Sequence, residues 1–123
     1  EQKTQGLGLG GRVRFAGIVK NITDLIAEHD VFVLPSFKEG FPNAVIESLS
    51  VGTPVVAFKV GGVSAIIKDD FNGFMVEEGD LAGFKRSIIK AGNRSWDLES
   101  IKKDITDRFA IDTIVSNYES LLA

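Results

Sequence analysis

Two glutamates, Glu39 and Glu47, flank a segment suited to start a helix, Gly40-Phe41-Pro42-Asn43-Ala44. Gly40 permits backbone conformations barred to other residues. Pro42 suits a first helical turn, where no amide hydrogen bond is lost. The first amides of such a helix point outward unpaired, and with the positive end of the helix dipole they form an anion site of the kind that takes phosphate. The dipole contributes about 0.3–1 kcal/mol when exposed, and each hydrogen bond to a charged oxygen about 1.5–3 kcal/mol. A carboxylate beside a phosphate is repelled, so it is better employed accepting hydrogen bonds from hydroxyls. Asn43 and Glu47 are i and i+4 and share a helix face. Helical side chains lean toward the N-terminus, so Glu47 reaches back beside any anion at the helix start. The chemistry expected is binding of a phosphorylated, hydroxyl-rich ligand with a glutamate at each end. A plainer reading stands beside it: acidic residues in a first turn stabilise the dipole with no ligand at all.

The surrounding pattern says which elements position these residues. Residues 12–17 (RVRFAG) alternate and close on glycine, which predicts a strand. Residues 30–35 (DVFVLP) and 54–58 (PVVAF) are continuous apolar runs, the mark of strands buried on both faces. Residues 73–76 (GFMV) predict a fourth strand after the Asn72-Gly73 turn dipeptide. Helical spacing predicts helices over 21–29, 42–51, 63–68, 81–91, 96–108 and 112–122. Strands alternating with amphipathic helices predict an α/β domain: a Rossmann-like parallel sheet of about four strands with helices on both faces. Ligands of such sheets sit beyond the carboxyl ends of the strands, which is where the loop 35–43 falls.

Composition narrows the function classes. A chain of 123 residues makes one domain. A net charge of −3 argues against a nucleic-acid surface. With no cysteine, disulfides, thiolate metal sites and cysteine nucleophiles are excluded, and a single histidine excludes a multi-histidine metal centre. No apolar run approaches the ~20 residues of a membrane span. His29 suits a helix end. Trp96 and Tyr118 have core-like spacing, and Phe71 and Phe74 are placed to anchor the Asn-Gly turn.

The run EGFPNAVIE (residues 39–47), followed by SLSVGTPVVA (48–57), resembles the E-x7-E signature of group 1 retaining glycosyltransferases with the GT-B fold. RVRFAG and VFVLPS resemble two strand ends of that family. Gly61-Gly62, Ile66-Ile67 and DDFNGFMV (69–76) resemble a further family run. The resemblance covers nearly the whole chain and implies the C-terminal, nucleotide-sugar-binding domain. By that resemblance Glu39 contacts the donor sugar, the catalytic position. The amides around Gly40, Phe41, Asn43 and Ala44 hold the diphosphate, with Pro42, which has no N–H, among the donor-binding residues. Glu47 takes the ribose hydroxyls, and Gly17 lines the base pocket. It implies no cofactor and no bound metal, a nucleotide-diphosphate sugar as donor, and transfer to a glycan, lipid-linked or small acceptor with retention, as in polysaccharide biosynthesis. It also implies a cytoplasmic enzyme, for which peripheral membrane association at full length stays open.

There are departures. Ser64-Ala65 stand where the family often has Pro-Glu. The chain begins after the family domain's first two strands, so it is expected to be an N-terminally truncated domain. It would lack a basic pair for the donor phosphates and the acceptor-binding N-terminal domain. Alone it is expected to bind nucleotide weakly and not to turn over. Three closures of the sheet stay open: direct pairing of 12–17 with 30–35, strand exchange in an oligomer, or an exposed edge. The alternative function is a non-catalytic α/β structural or interaction module. A phosphoacceptor signalling domain is disfavoured, because no aspartate ends a central strand.

Overall fold

The computed structural model describes residues 2–36 and 42–109. In chain order the elements are α1 (Gln2–Gly6), α2 (Ile22–Ala27), β1 (Phe32–Leu34), α3 (Asn43–Ser50), β2 (Val55–Phe58), α4 (Val63–Ile66), β3 (Gly73–Val76), α5 (Leu81–Gly92) and α6 (Leu98–Phe109). The strands form one parallel sheet in the order β1-β2-β3, with Phe32 opposite Val55 and Val55 opposite Gly73. This is the expected class, an open parallel sheet surrounded by helices. The helix expected over 112–122 and Tyr118 lie outside the described residues.

All four residues of β2 are buried. Phe58 stacks on Phe84 of α5, with ring centroids 4.4 Å apart. Side chains alternate along a strand, so Val56 shares that face while Val55 and Ala57 point to the other. Helix α3 also packs on β1 and β2. Its buried Val45, Ser48 and Leu49 fall at helical spacing. It stops at Gly52, whose φ of +83° favours glycine and whose added Cβ would press on Leu98 and Lys102 of α6. Two buried hydroxyls tie these layers together. Ser48 Oγ donates to the Thr53 carbonyl at 2.9 Å, and Thr53 Oγ1 donates to the Ile26 carbonyl at 3.1 Å.

Residues 12–17 do not form the expected strand, so the described sheet has three strands rather than four. Val13 and Phe15 stay 42% and 58% exposed. Alternation marks a face fit for burial, but a strand is held by a neighbour's ladder, and here the neighbour is missing. Among the described residues β1 pairs only with β2. Its residues are therefore half-buried rather than buried on both faces as expected. Of the three closures foreseen, direct pairing of 12–17 with β1 is absent, and among the described residues nothing pairs with the outer edge of β1. In a parallel ladder alternate residues bond to each side. The Phe32 N–H donates to the Pro54 carbonyl, so Val33 presents its N–H and C=O outward.

The opposite edge is closed by the chain's own turn. Gly73 and Met75 face outward from β3. The Met75 N–H donates to the Asp69 carboxylate at 2.8 Å, and the Gly73 carbonyl accepts from the Asp70 N–H at 3.1 Å. Asp70 adopts a φ of +67°. Arg94 holds it from two sides, with Nη1 on its carboxylate at 3.0 Å and Nη2 on its carbonyl at 2.7 Å. Trp96 packs edge-on to Phe74 and donates its indole N–H to the Ala91 carbonyl at 2.9 Å. It is a packing residue, as expected.

Helix α6 buries Ile101 and Ile105 and packs on α3. Its Asp104, 17% exposed, receives Lys68 Nζ at 2.8 Å and Arg108 Nε at 3.0 Å. Burial works to raise the Asp104 pKa, but hydrogen bonds and charge from Lys68 and Arg108 outweigh it and hold the group below its ordinary 3.8. A carboxylate with a depressed folded pKa contributes stability that is present above the unfolded value and lost as pH falls through the folded one. The stability gap between the parent and Asp104→Asn is therefore expected to shrink as pH is lowered through and below 3.8, read as urea midpoints at each pH. Two glycines should respond oppositely to alanine. A Cβ at Gly73 would overlap the Val55 carbonyl oxygen in the β2–β3 ladder. Gly73→Ala should cost at least the ~1–3 kcal/mol typical of overpacking. Gly92→Ala, at the open end of α5, should gain up to about 1 kcal/mol. Denaturant titration checks both.

Candidate functional site

Because all three strands run the same way, their carboxyl ends share one edge. The loop leading to α3, the Lys59–Gly62 turn after β2 and residues 77–80 after β3 all start there. The start of α3 lies at this edge, as the connection from β1 requires. Pro42 occupies its N-cap and is buried. The first helical hydrogen bonds run from the Val45 and Ile46 N–H groups to the Pro42 carbonyl, at 3.1 and 3.4 Å. The N–H groups of Asn43 and Ala44 precede them and find no acceptor within the helix. Asn43 is exposed and Ala44 half-buried, so the amide-bearing end of α3 is not sealed by the described residues. One turn in, Glu47 is half-buried. Its main-chain carbonyl accepts from Ser50 Oγ at 2.6 Å. Among the described residues no cation pairs with its carboxylate.

Pro42, Asn43, Ala44 and Glu47 are thus brought together on one helix end. Glu39, Gly40 and Phe41 lie outside the described residues. Gly17 belongs to the exposed stretch before α2, with a φ of +66° and open space where a Cβ would stand. The described contacts do not join it to α3.

The turn after β2 adds backbone to the same edge. The Lys59 N–H donates to the Val76 carbonyl at 2.8 Å, which fixes the base of the turn against the end of β3. Val60 is buried beneath it. Gly61 has a φ of +51°, a conformation that favours glycine. Gly62 caps the single turn of α4. The Gly-Gly pair was visible in the sequence. What holds it was not, because two of the contacts that fix α4 come from Arg108, more than forty positions away.

Two surface cavities among the described residues lie elsewhere. One of about 470 Å³ runs beside β3 and α5, lined by Met75, Val76, Asp80, Arg86 and Lys90 among others. One of about 390 Å³ includes Gly52, Thr53, Arg94 and Trp96, toward the amino ends of the strands. Neither is lined by the first turn of α3, whose connecting loop 37–41 lies outside the described residues. No group of three or more His, Cys, Asp or Glu among the described residues is placed to hold a metal ion. No described helix is long and apolar enough to cross a membrane.

The sequence and the fold are similar to those of known proteins. The family described as "Glycosyl transferases group 1" matches residues 1–93. The lipopolysaccharide core biosynthesis glycosyltransferase LpsE of Rhizobium meliloti is 39% identical over 121 residues, covering 95% of this chain and 36% of that protein. The apo structure of the lipopolysaccharide outer core galactosyltransferase WaaB superposes with a TM-score of 0.88 over 98% of this chain and 36% of its own. At 21% identity it bears on the fold alone. The structure of Anabaena Alr3699/HepE in complex with UDP has a TM-score of 0.79 at 28% identity, over 98% of this chain and 35% of its own. The chain therefore spans about a third of the length of each of these proteins.

Proposed function

Because the chain belongs to the group 1 glycosyltransferases, we propose that the start of α3 is part of a nucleotide-sugar donor site in a sugar-transferring enzyme. The observation that carries this reading is the helix start at the carboxyl edge of the sheet, not sealed by the described residues, with the Glu47 carboxylate, which pairs with no cation among them, one turn inside it. It is supported by HepE, a 28% identical neighbour whose structure holds UDP.

In this reading the N–H groups of Gly40, Phe41, Asn43 and Ala44 hold the diphosphate, with Asn43 and Ala44 the described pair, and Pro42 sets the entry to the helix. Glu47 accepts hydrogen bonds from the vicinal hydroxyls of the ribose. Glu39 orients the sugar, and Gly17 lies by the base. An acceptor hydroxyl bonds to the anomeric carbon as the bond from that carbon to the diphosphate oxygen breaks. The leaving diphosphate keeps the electron pair, and the proton of the acceptor hydroxyl passes to an oxygen of that diphosphate. Fixed N–H dipoles aimed at the oxygens where charge develops lower the barrier without reorganising. Net retention at the anomeric carbon, and transfer without a bound metal, follow the family resemblance. The acceptor is a glycan, a lipid-linked saccharide or a small hydroxylated molecule. It needs a second wall to position it. Since the matched relatives are about three times as long, the complete reaction is proposed for a protein of their length.

Calorimetric titration tests the donor site. Saturable binding of uridine or guanosine diphosphate is expected. Loss of one charged acceptor should weaken it about 10–100-fold in Glu47→Ala, with the fold retained by circular dichroism. No saturable binding, or equal affinity in the variant, overturns the donor site and leaves a non-catalytic α/β module. The 123 residues alone are expected to show no sugar transfer. Transfer by a preparation free of contaminating enzyme contradicts the need for a second wall.

A further inference from the structure

Helix α4 is a single turn of four residues. A helix this short is not stable by itself, and its last carbonyls have no helical partner. The structure supplies partners from two places, Arg108 far along the chain and Asn72 six residues beyond Ile66. Arg108, near the end of α6, donates Nη1 to the Ala65 carbonyl at 2.9 Å and Nη2 to the Ile66 carbonyl at 2.7 Å. Buried Asn72 donates Nδ2 to the same Ile66 carbonyl at 3.2 Å, while its Oδ1 accepts from the Lys68 N–H at 2.8 Å. Asp104 orients the guanidinium, accepting from Nε at 3.0 Å and lying 2.8 Å from Nη2. Lys68 occupies its other oxygen at 2.8 Å.

The other end of α4 is the Gly61–Gly62 turn at the carboxyl edge of the sheet. The two ends are about 6 Å apart at 1.5 Å per residue. The Val63 N–H donates to the Val60 carbonyl, and the Ile67 N–H to the Val63 carbonyl, so the turn and the clamped end share one short hydrogen-bonded unit. Gly61 and Gly62 have no side chains with which to fix themselves. Their placement depends on what holds the rest of that unit.

We infer that Arg108 is a positioning residue, which sets the Gly61–Gly62 backbone at the donor edge by clamping the far end of α4. Its functional consequence rests on the donor site proposed above. Planarity matters as much as charge. The guanidinium meets two adjacent carbonyls and a carboxylate at once, which a lysine ammonium cannot reproduce.

Hydrogen exchange followed by mass spectrometry on the full chain tests this. Arg108→Gln and Arg108→Lys should both accelerate exchange in residues 60–67 by roughly 10-fold, while β2 keeps its protection. Lys103→Gln, which removes only the exposed pair with Asp107 on the same helix, should leave 60–67 unchanged. Uridine diphosphate affinity should fall by roughly 5–10-fold in both Arg108 variants, through lost preorganisation. The inference is overturned if exchange in 60–67 is unchanged in both variants, if it rises equally throughout the chain, or if Arg108→Lys behaves as the parent. It is also overturned if the turn loosens while nucleotide affinity stays the same. Absence of nucleotide binding in the parent chain refutes the donor site, and the exchange comparison still decides whether Arg108 places the turn.

Discussion

The central strand β2 gives neither a face nor an edge to solvent. It is bonded to β1 on one side and β3 on the other, and all four of its side chains are buried. That requires apolar residues at every position, parallel neighbours on both sides and a cover over each face. Phe58 against Phe84 meets this demand on one face, and α3 packs against β1 and β2. Even the polar groups nearest to it, Ser48, Thr53 and Asn72, are buried with hydrogen-bond partners. The helices take their places because this strand must be enclosed. Its parallel pairing then brings three carboxyl ends to one edge.

That shared edge turns separate sequence segments into one surface. Strand β1 delivers the helix that begins at Asn43, and β2 delivers the glycine pair. Both present backbone N–H groups, which can meet an anion without the rotamer cost of a long basic side chain. Glu47 adds an acceptor-only group one turn behind. In the proposed donor site, the amides and this carboxylate would meet separate portions of the ligand, its charge and its hydroxyls. Sheet polarity, more than any single residue, creates this arrangement.

Much of this could be read from residue order, for identifiable reasons. The uniform apolar run in 54–58 requires burial on both faces and became β2. Pro42 and Gly52 bracket α3 because each satisfies a local backbone demand. Asn72-Gly73 marked a turn correctly. RVRFAG misled because alternation reports a side-chain pattern and says nothing about whether a neighbouring strand is there to pair. DVFVLP was read as doubly buried for the same reason, since its position at the edge is a property of the whole sheet. The gathering of Pro42, Asn43, Ala44 and Glu47 was legible because it is local to one helix. Arg108 was not, since its contacts with Ala65 and Ile66 span 43 and 42 positions and leave no periodic trace.

The two margins of the sheet have different chemical characters. Beside β3, a carboxylate occupies the Met75 amide and a main-chain amide occupies the Gly73 carbonyl, so two of the groups an incoming extended peptide would pair with are already taken. Beside β1, Val33 keeps both groups available to a newcomer among the described residues. Among the described residues the two margins are consequently unequal: main-chain pairing is obstructed at Gly73 and Met75 and unobstructed at Val33.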